Sequence, residues 1–152
     1  MRIIGNGGHA QVVRDVLRRV DVIHDNSHGF IAVGDNASRK REAEAHRELI
    51  FPVLIDPSAV VSPSARIGPG TVIMAGVVVQ ANAFIGWHVI LNTGCTVDHG
   101  SLVENFAHVA PGAHLCGDVI VGEGALVGAG AVAVPGASIK AWSLVKAGSV
   151  AK

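Results

Sequence analysis

Tyrosine is absent from this sequence of 152 residues, and charged side chains make up only 16% of it. Twelve basic and twelve acidic residues cancel to a formal net charge of zero. The chain therefore has no long-range electrostatic field that would favour nucleic acid or an anionic membrane surface. Any site for a phosphate group must be local.

Cysteine and long apolar runs are also scarce. The two cysteines, Cys95 and Cys116, favour neither a disulfide scaffold nor a zinc motif. No apolar stretch is long enough to span a bilayer, and the segment from Met1 to Gly5 is too short for the core of a signal peptide. We therefore expect a cytoplasmic protein with no membrane partner.

Glycine, by contrast, is abundant, with nineteen residues, and it recurs with a period. From Val53 onward the chain divides into sixteen consecutive six-residue units and one partial unit, without any insertion. The third position is Val, Ile or Leu in every complete unit except one, where it is Ala133, and the first position is always Ala, Val, Cys, Ser or Thr. Glycine fills the sixth position in nine of the sixteen units, which suits a corner with a permissive φ.

This period predicts a mainly β fold, a parallel β-helix. Each unit places its third residue inward on a short strand and then turns a corner, so that three units close one triangular coil. Coils stack at about 4.8 Å, and their third-position side chains form buried columns. The uninterrupted frame argues against a β-sandwich with a chance run of Gly and Val. Outward apolar residues such as Val60, Val78, Phe84 and Ile90 need covering, which favours an oligomer.

The first 52 residues follow a different pattern. Residues 2–4 predict a strand, and a glycine-rich loop follows it. Apolar residues at helical spacing from Val12 to Val20 predict a helix. A second strand covers residues 29–34, and Ser38 is the predicted cap of a helix from Arg39 to about Leu49. This order predicts a small α/β (Rossmann-like) subdomain, residues 1–52, ahead of the β-helix domain, residues 53–152.

Several motifs stand in a fixed order along nearly the whole chain. They are Gly5-Asn6-Gly7-Gly8-His9-Ala10, Ala32-Val33-Gly34-Asp35-Asn36 with Arg39, Pro57-Ser58-Ala59-Val60-Val61-Ser62, Asn92-Thr93-Gly94, Val97-Asp98-His99 and His108-Val109-Ala110-Pro111-Gly112. In this order they resemble the sialic-acid and bacillosamine-type sugar acetyltransferases, a branch of the hexapeptide-repeat acyltransferases.

The resemblance implies a left-handed β-helix and transfer of acetyl from acetyl-CoA to an amino or hydroxyl group of a sugar or nucleotide-sugar. It also implies a homotrimer with acetyl-CoA between neighbouring β-helices, and no metal is expected. Two features depart from the family. The amino-terminal subdomain lacks a strand and a helix between Val20 and Gly29, and Gly100 replaces the acidic residue that usually follows the catalytic histidine.

Acetyl transfer needs a base for the attacking group and a donor for the oxyanion. His99 occupies the fifth position of its unit, at a corner, and the resemblance implies that it is the general base. Spacing alone leaves open a solvent-facing corner histidine. Gly117 stands at the same corner one coil later, and the resemblance implies that its N–H contacts the thioester carbonyl of acetyl-CoA. A simple corner glycine is the alternative.

Asp118 is a candidate substitute for the missing acid. It is sixth in its unit, as Gly100 is in the unit one coil earlier, so the register places Asp118 over Gly100. From there it would orient the imidazole of His99 and stabilise its protonated form. A solvated corner aspartate is the alternative.

The other histidines of the β-helix have weaker support. His108 is second in its unit and points outward from a different column than His99, and the resemblance suggests contact with substrate or acetyl group. A packing role at an interface is the alternative. Asn92 is a candidate for substrate binding, although Asn also serves corner geometry. His88 and His114 are expected to be surface or interface residues.

The glycine-rich loop suggests phosphate binding at a helix start, although a tight strand-to-helix turn also needs glycine. With the resemblance, Gly7, Gly8 and His9 are predicted to contact the phosphate or sugar of the acceptor. Three further residues of the same subdomain are predicted to line that pocket, namely Asp35, Asn36 and Arg39. Capping of the second helix explains Asp35 and Asn36 equally well.

Two other functions remain as alternatives. A carbonic-anhydrase-like zinc enzyme uses the same fold with histidines meeting at a subunit interface. His108 and His114 lie on different faces, however, so the close pairing of such a site is missing. A non-catalytic scaffold would polymerise through its coil ends, but the charged end at Lys152 and the α/β cap oppose such stacking.

Overall fold

The computed structural model describes residues 1–21 and 25–152. The predicted deletion between Val20 and Gly29 falls partly on residues outside these ranges. The amino-terminal part contains two parallel strands, β1 (Arg2–Ile4) and β2 (Gly29–Ile31), and two helices, α1 (Gly8–Leu17) and α2 (Asn36–Ala45). Neither helix is long and apolar enough to cross a membrane, and the described residues contain no other candidate.

The two helices follow from local sequence. On α1 the apolar residues recur three or four positions apart, so Ala10, Val13 and Val16 are all buried on one side. The second helix begins earlier than predicted and ends before Leu49. The prediction that Ser38 caps it is wrong: Asp35 is the cap, and its side chain accepts the Ser38 N–H at 2.8 Å.

Seventeen strands of two residues each form the β-helix, on three faces. Face one contains β3 (Leu54–Ile55), β6 (Val72–Ile73), β9 (Ile90–Leu91), β12 (His108–Val109), β15 (Leu126–Val127) and β18 (Leu144–Val145). Face two contains β4 (Val60–Val61), β7 (Val78–Val79), β10 (Thr96–Val97), β13 (His114–Leu115), β16 (Val132–Ala133) and β19 (Val150–Ala151). Face three contains β5 (Arg66–Ile67), β8 (Phe84–Ile85), β11 (Leu102–Val103), β14 (Ile120–Val121) and β17 (Ser138–Ile139).

The predicted register is confirmed. Every strand pairs in parallel with the strand one coil away on its face, as Val97 does with Leu115. Third-position side chains point inward, and both of these are at most 1% exposed. First-position side chains such as Cys95 and Ala113 are also fully buried, because residues two apart on a strand share a face.

The sixth position of the units turns the corners, as predicted. All nine glycines there have a positive φ, as Gly100 does at +67°. Five other sixth-position residues share this left-handed conformation: Asn82, His88, Phe106, Asp118 and Trp142. Asn and Asp tolerate it, whereas bulky residues rarely adopt it.

The amino-terminal part covers face one. The outward residues of its first three strands, Leu54, Val72 and Ile90, are at most 2% exposed. The expectation that Ile90 awaits an external partner is therefore wrong, because the chain's own α/β part buries it. Val60 on face two and Phe84 on face three stay 64% and 46% exposed.

Candidate functional site

The imidazole of His99 lies against the backbone of Gly117, at the corner between faces two and three. A Cβ built on Gly117 would lie 2.5 Å from Cε1 and 2.7 Å from Nε2 of His99. Only glycine leaves room for the ring at this place. Within the described residues the Gly117 N–H donates to no protein acceptor, so it remains available to a ligand. The predicted base and the predicted oxyanion donor are thus neighbours across one coil.

Asp118 lies where the register predicted. Its Oδ1 occupies the space that a Cβ on Gly100 would fill, and its N–H donates to the carbonyl of His99 at 2.9 Å. The carboxylate makes no hydrogen bond to the His99 ring within the described residues. Its influence on the ring in this state would therefore be electrostatic. The neighbouring Asp98 accepts the backbone N–H of His99 on its Oδ1 at 2.8 Å, and this hydrogen bond stabilises the corner.

The glycine-rich loop borders a separate cavity. About 370 Å³ in volume, it is lined by residues 5–9 and 32–34, including Gly7, Gly8 and His9. Among the described residues no side chain caps the start of α1, and the N–H groups of Gly8 and His9 have no acceptor, whereas that of Ala10 donates to the carbonyl of Gly7 at 3.0 Å. A Cβ on Gly7 or Gly8 would contact nothing within 4 Å, so the described residues do not fill the space above the loop.

His108 and Asn92 lie on the side of this cavity and not beside His99. The Nδ2 of Asn92 lies 3.0 Å from Nε2 of His108, while the Oδ1 of Asn92 accepts the Thr93 N–H at 2.8 Å. The amide therefore donates to Nε2, which fixes the His108 proton on Nδ1. Burial lowers the pKa of His108 to about 4, and the nearby Arg39 and His9 add to this effect.

His9 is in a similar state. Burial, followed by the charge of Arg39, lowers the pKa of His9 to about 4. Its Nε2 is buried without a hydrogen-bond partner among the described residues. His9 and His108 are therefore both neutral at pH 7. The acceptor nitrogen of His108 is already used by Asn92, whereas Nε2 of His9 has no partner among the described residues.

Asp35, Asn36 and Arg39 join the α/β part to the β-helix. Arg39 is 1% exposed, and its guanidinium donates to the carbonyls of Val33, Gly34, His88, Phe106 and Ala107 and to the side chain of Asn36. The Nδ2 of Asn36 donates to the carbonyls of Gly124 and Ala125 at 2.9 and 3.2 Å. With Asp35 used as the cap of α2, these three side chains all have partners within the fold. That they contact the acceptor stays a prediction.

The predicted site residues thus form two separate groups. His99, Gly117 and Asp118 lie at the corner between faces two and three. Gly7, Gly8, His9, Asn92 and His108 lie between the α/β part and face one. Sequence reasoning missed the Arg39 contacts, and it expected His88 at the surface or an interface, whereas this residue is 7% exposed within the single chain. His114, expected at the surface, is exposed.

The described residues contain no group of three His, Cys, Asp or Glu side chains that could hold a metal ion. His108 and His114 lie on faces one and two, so they do not approach each other in the way that a histidine zinc site within one subunit requires. Cys95 and Cys116 are both free, in agreement with the predicted register.

Comparison with known proteins identifies the family to which the chain belongs. No protein-family model and no curated protein matches the chain. Among solved structures, a histidine-to-asparagine variant of perosamine N-acetyltransferase from Caulobacter crescentus, in complex with CoA and GDP-perosamine, matches with a TM-score of 0.92 and 37% identity, over 98% of this chain and 86% of that chain. The acetyltransferase domain of PglB from Neisseria gonorrhoeae, in complex with acetyl coenzyme A, matches with a TM-score of 0.90 and 34% identity, over 97% and 87% of the two chains. The chain belongs to the hexapeptide-repeat sugar acetyltransferases.

Membership of the sugar acetyltransferases confirms the predicted family, the left-handed β-helix and the class of enzyme. Family membership also favours the acetyltransferase over the two alternative functions, the zinc enzyme and the non-catalytic scaffold.

Proposed function

We propose that this acetyltransferase transfers the acetyl group of acetyl-CoA to the amine of a nucleotide-linked amino sugar. The observation that carries this is the contact between the His99 ring and the Gly117 backbone, because it puts a base next to an unpaired N–H donor. The solved relatives support the choice of substrates, since one holds CoA with GDP-perosamine and another holds acetyl coenzyme A.

The reaction assigns one role to each of these groups. His99 accepts a proton from the amine as its nitrogen attacks the thioester carbonyl carbon. The Gly117 N–H donates to the carbonyl oxygen, which becomes negative in the tetrahedral intermediate. The C–S bond then breaks, the amide product forms, and the protonated His99 returns its proton to the leaving thiolate. Asp118 favours the protonated imidazole through its charge.

The acceptor would bind at the glycine-rich loop. The unpaired N–H groups at the start of α1 and the positive end of its dipole suit a phosphate group. Gly7 and Gly8 let that phosphate approach the backbone, since no side chain occupies the space above them. His9 lines this cavity, and His108 is close enough to His9 for the two to interact electrostatically. Such neutral rings suit the hydroxyl groups of a sugar.

The two groups of residues require a second copy of the chain. His99 and the acceptor cavity lie on different sides of one β-helix, so a single subunit does not bring base and acceptor together. We infer a homotrimer in which the His99 corner of one subunit closes on the acceptor cavity and His108 of its neighbour. The exposed Val60 and Val150 on face two, at 64% and 58%, agree with a buried contact there. Light scattering that shows a monomer at micromolar concentration would contradict this arrangement.

An acceptor screen tests the proposed reaction. The protein is incubated with acetyl-CoA and with GDP- and UDP-linked amino sugars, the free amino sugars, or sialic acid, and the release of free thiol is followed. We expect kcat/KM for a nucleotide-linked amine to exceed that of the free amino sugar by about 100-fold or more, because phosphate contacts contribute roughly 3 kcal/mol. Thiol release with sialic acid only would replace the amine acceptor with a hydroxyl acceptor.

A further inference from the structure

A second cavity lies between α2 and the corner that joins faces three and one. Its volume is about 590 Å³, which is within the range of small-molecule sites. Glu44 and Arg47 border it on the helix side, and Trp87, His88, Asn105 and Phe106 border it on the β-helix side. None of these residues takes part in the proposed acetyl transfer.

The cavity offers an uncovered aromatic surface. Trp87 is 58% exposed, and its ring lies over Gly68, where a side chain would collide with it. Two further lining residues, His88 and Phe106, stack their rings with centroids 5.4 Å apart and an angle of 4° between the ring planes. An exposed indole at the wall of a cavity with two more rings in its lining suits a flat aromatic ligand.

The backbone holds two of these rings in an unfavourable conformation. His88 and Phe106 have φ values of +52° and +59° at sixth positions, where glycine would fit without strain. Bulky residues in this region are uncommon, and such strain is often retained where the side chain has a function. Here it directs both rings into one wall of the cavity.

His88 also supplies a polar contact. Its side chain is nine-tenths buried, and its Nδ1 is sealed without a partner among the described residues. Burial, with a contribution from Arg39, lowers the pKa of His88 to about 4, so the ring is neutral at pH 7. Since a sealed N–H is less favourable than a sealed lone pair, the proton belongs on Nε2, which remains open. The cavity therefore has an N–H donor in its wall.

The charges around the cavity cancel. The Nζ of Lys40 pairs with Glu123 at 2.6 Å, and Glu44 is opposite in sign to Arg47. The Oδ1 of Asn105 accepts the backbone N–H of Trp87 at 2.8 Å. The side-chain NH₂ group of Asn105 is therefore left for a ligand. This balance favours an uncharged molecule over an anion or a cation.

We propose that this cavity binds an uncharged, planar heteroaromatic molecule that stacks on Trp87 and presents a carbonyl oxygen to Nε2 of His88. The inference is independent of the acetyl-transfer proposal, because it uses a different cavity and different residues.

Two probes of matched shape test it: 4-quinolone, which carries a carbonyl oxygen, and quinoline, which lacks one. Binding is followed by ligand-observed saturation-transfer NMR on the wild-type chain and on Trp87→Ala, His88→Phe and Trp142→Ala. Phe106 shows that phenylalanine fits the left-handed conformation, so His88→Phe keeps a ring and removes the donor. Trp142, 47% exposed and outside the cavity lining, is the matched control.

We expect 4-quinolone to bind the wild-type chain and Trp142→Ala equally and to lose at least about ten-fold in affinity in Trp87→Ala. In His88→Phe the preference for 4-quinolone over quinoline should disappear. Circular dichroism verifies that each variant is folded. Absence of binding by 4-quinolone, or binding that is unchanged in Trp87→Ala, would overturn the proposal.

Discussion

The ring of His99 and the backbone of Gly117 are in contact across one coil, at a distance that excludes any side chain at residue 117. A Cβ there would lie 2.5 Å from Cε1 of His99. The coil spacing of the β-helix therefore sets the separation of the base and the oxyanion donor that we propose for acetyl transfer.

Gly117→Ala tests this contact. The added methyl group should displace the imidazole and lower kcat by about ten- to 100-fold, because small misplacements of a base are costly. Crowding should also lower the free energy of unfolding by about 1–3 kcal/mol. In the double variant His99→Ala with Gly117→Ala the ring is gone, so denaturant unfolding should show that the stability loss is largely relieved. Additive losses would mean that the two residues are not in contact.

Asp118→Asn tests the electrostatic role of the carboxylate. Removing a negative charge near His99 disfavours the protonated ring that forms as the amine loses its proton, so kcat, measured in the steady state, should fall. Asparagine keeps the size of the side chain and tolerates the left-handed backbone. An unchanged kcat would reduce Asp118 to a corner residue and leave the proposed base untouched.

Stability should fall in mild acid because one buried histidine, His88, and two half-buried ones, His9 and His108, are neutral in the folded state. The pKa values of His9, His88 and His108 are each lowered to about 4, whereas an unfolded chain has values near 6.5. Between these limits the unfolded chain binds more protons, so the free energy of unfolding decreases as pH falls from 6.5 toward 4.

Urea unfolding at pH 7 and pH 5 measures this loss. For the well-buried His88 the expected share is about 2 kcal/mol, and His88→Phe should remove it. His114→Gln, at an exposed histidine, is the matched control and should leave the difference between the two pH values as it is in the wild-type chain. Equal stability of the wild-type chain at both pH values would contradict burial of neutral histidines.

The β-helix could be predicted from the sequence because its contacts repeat. A six-residue period fixes which residues point inward and which residues stack, so the position of Asp118 over Gly100 followed from counting. The docking of the α/β part does not repeat. Arg39 contacts His88 across 49 positions, and no period reports such a contact. For this reason Ile90 was expected to need an external partner, and the buried contact between Arg39 and His88 was not predicted.

Mixed oligomers test whether the active site lies between subunits. His99→Ala removes the base, and Gly8→Asp puts a carboxylate where the acceptor phosphate is proposed to bind, in space that the chain leaves open. Each variant alone should be inactive. Co-expression of the two variants in equal amounts should restore activity to up to about one quarter of the sites. Each site takes its base from one subunit and its glycine-rich loop from a neighbour, and random assembly makes each of these intact in about half of the cases. No recovery in verified mixed oligomers would place the whole site in one subunit.

The most direct test of the account is the steady-state rate of His99→Ala with acetyl-CoA and a nucleotide-linked amino sugar. Loss of the base should lower kcat by roughly 10²–10⁴-fold, while the affinity for acetyl-CoA, measured by calorimetry, should barely change. His114→Ala provides the control for removal of an exposed histidine of the same β-helix. Wild-type kcat in His99→Ala would contradict the proposed mechanism.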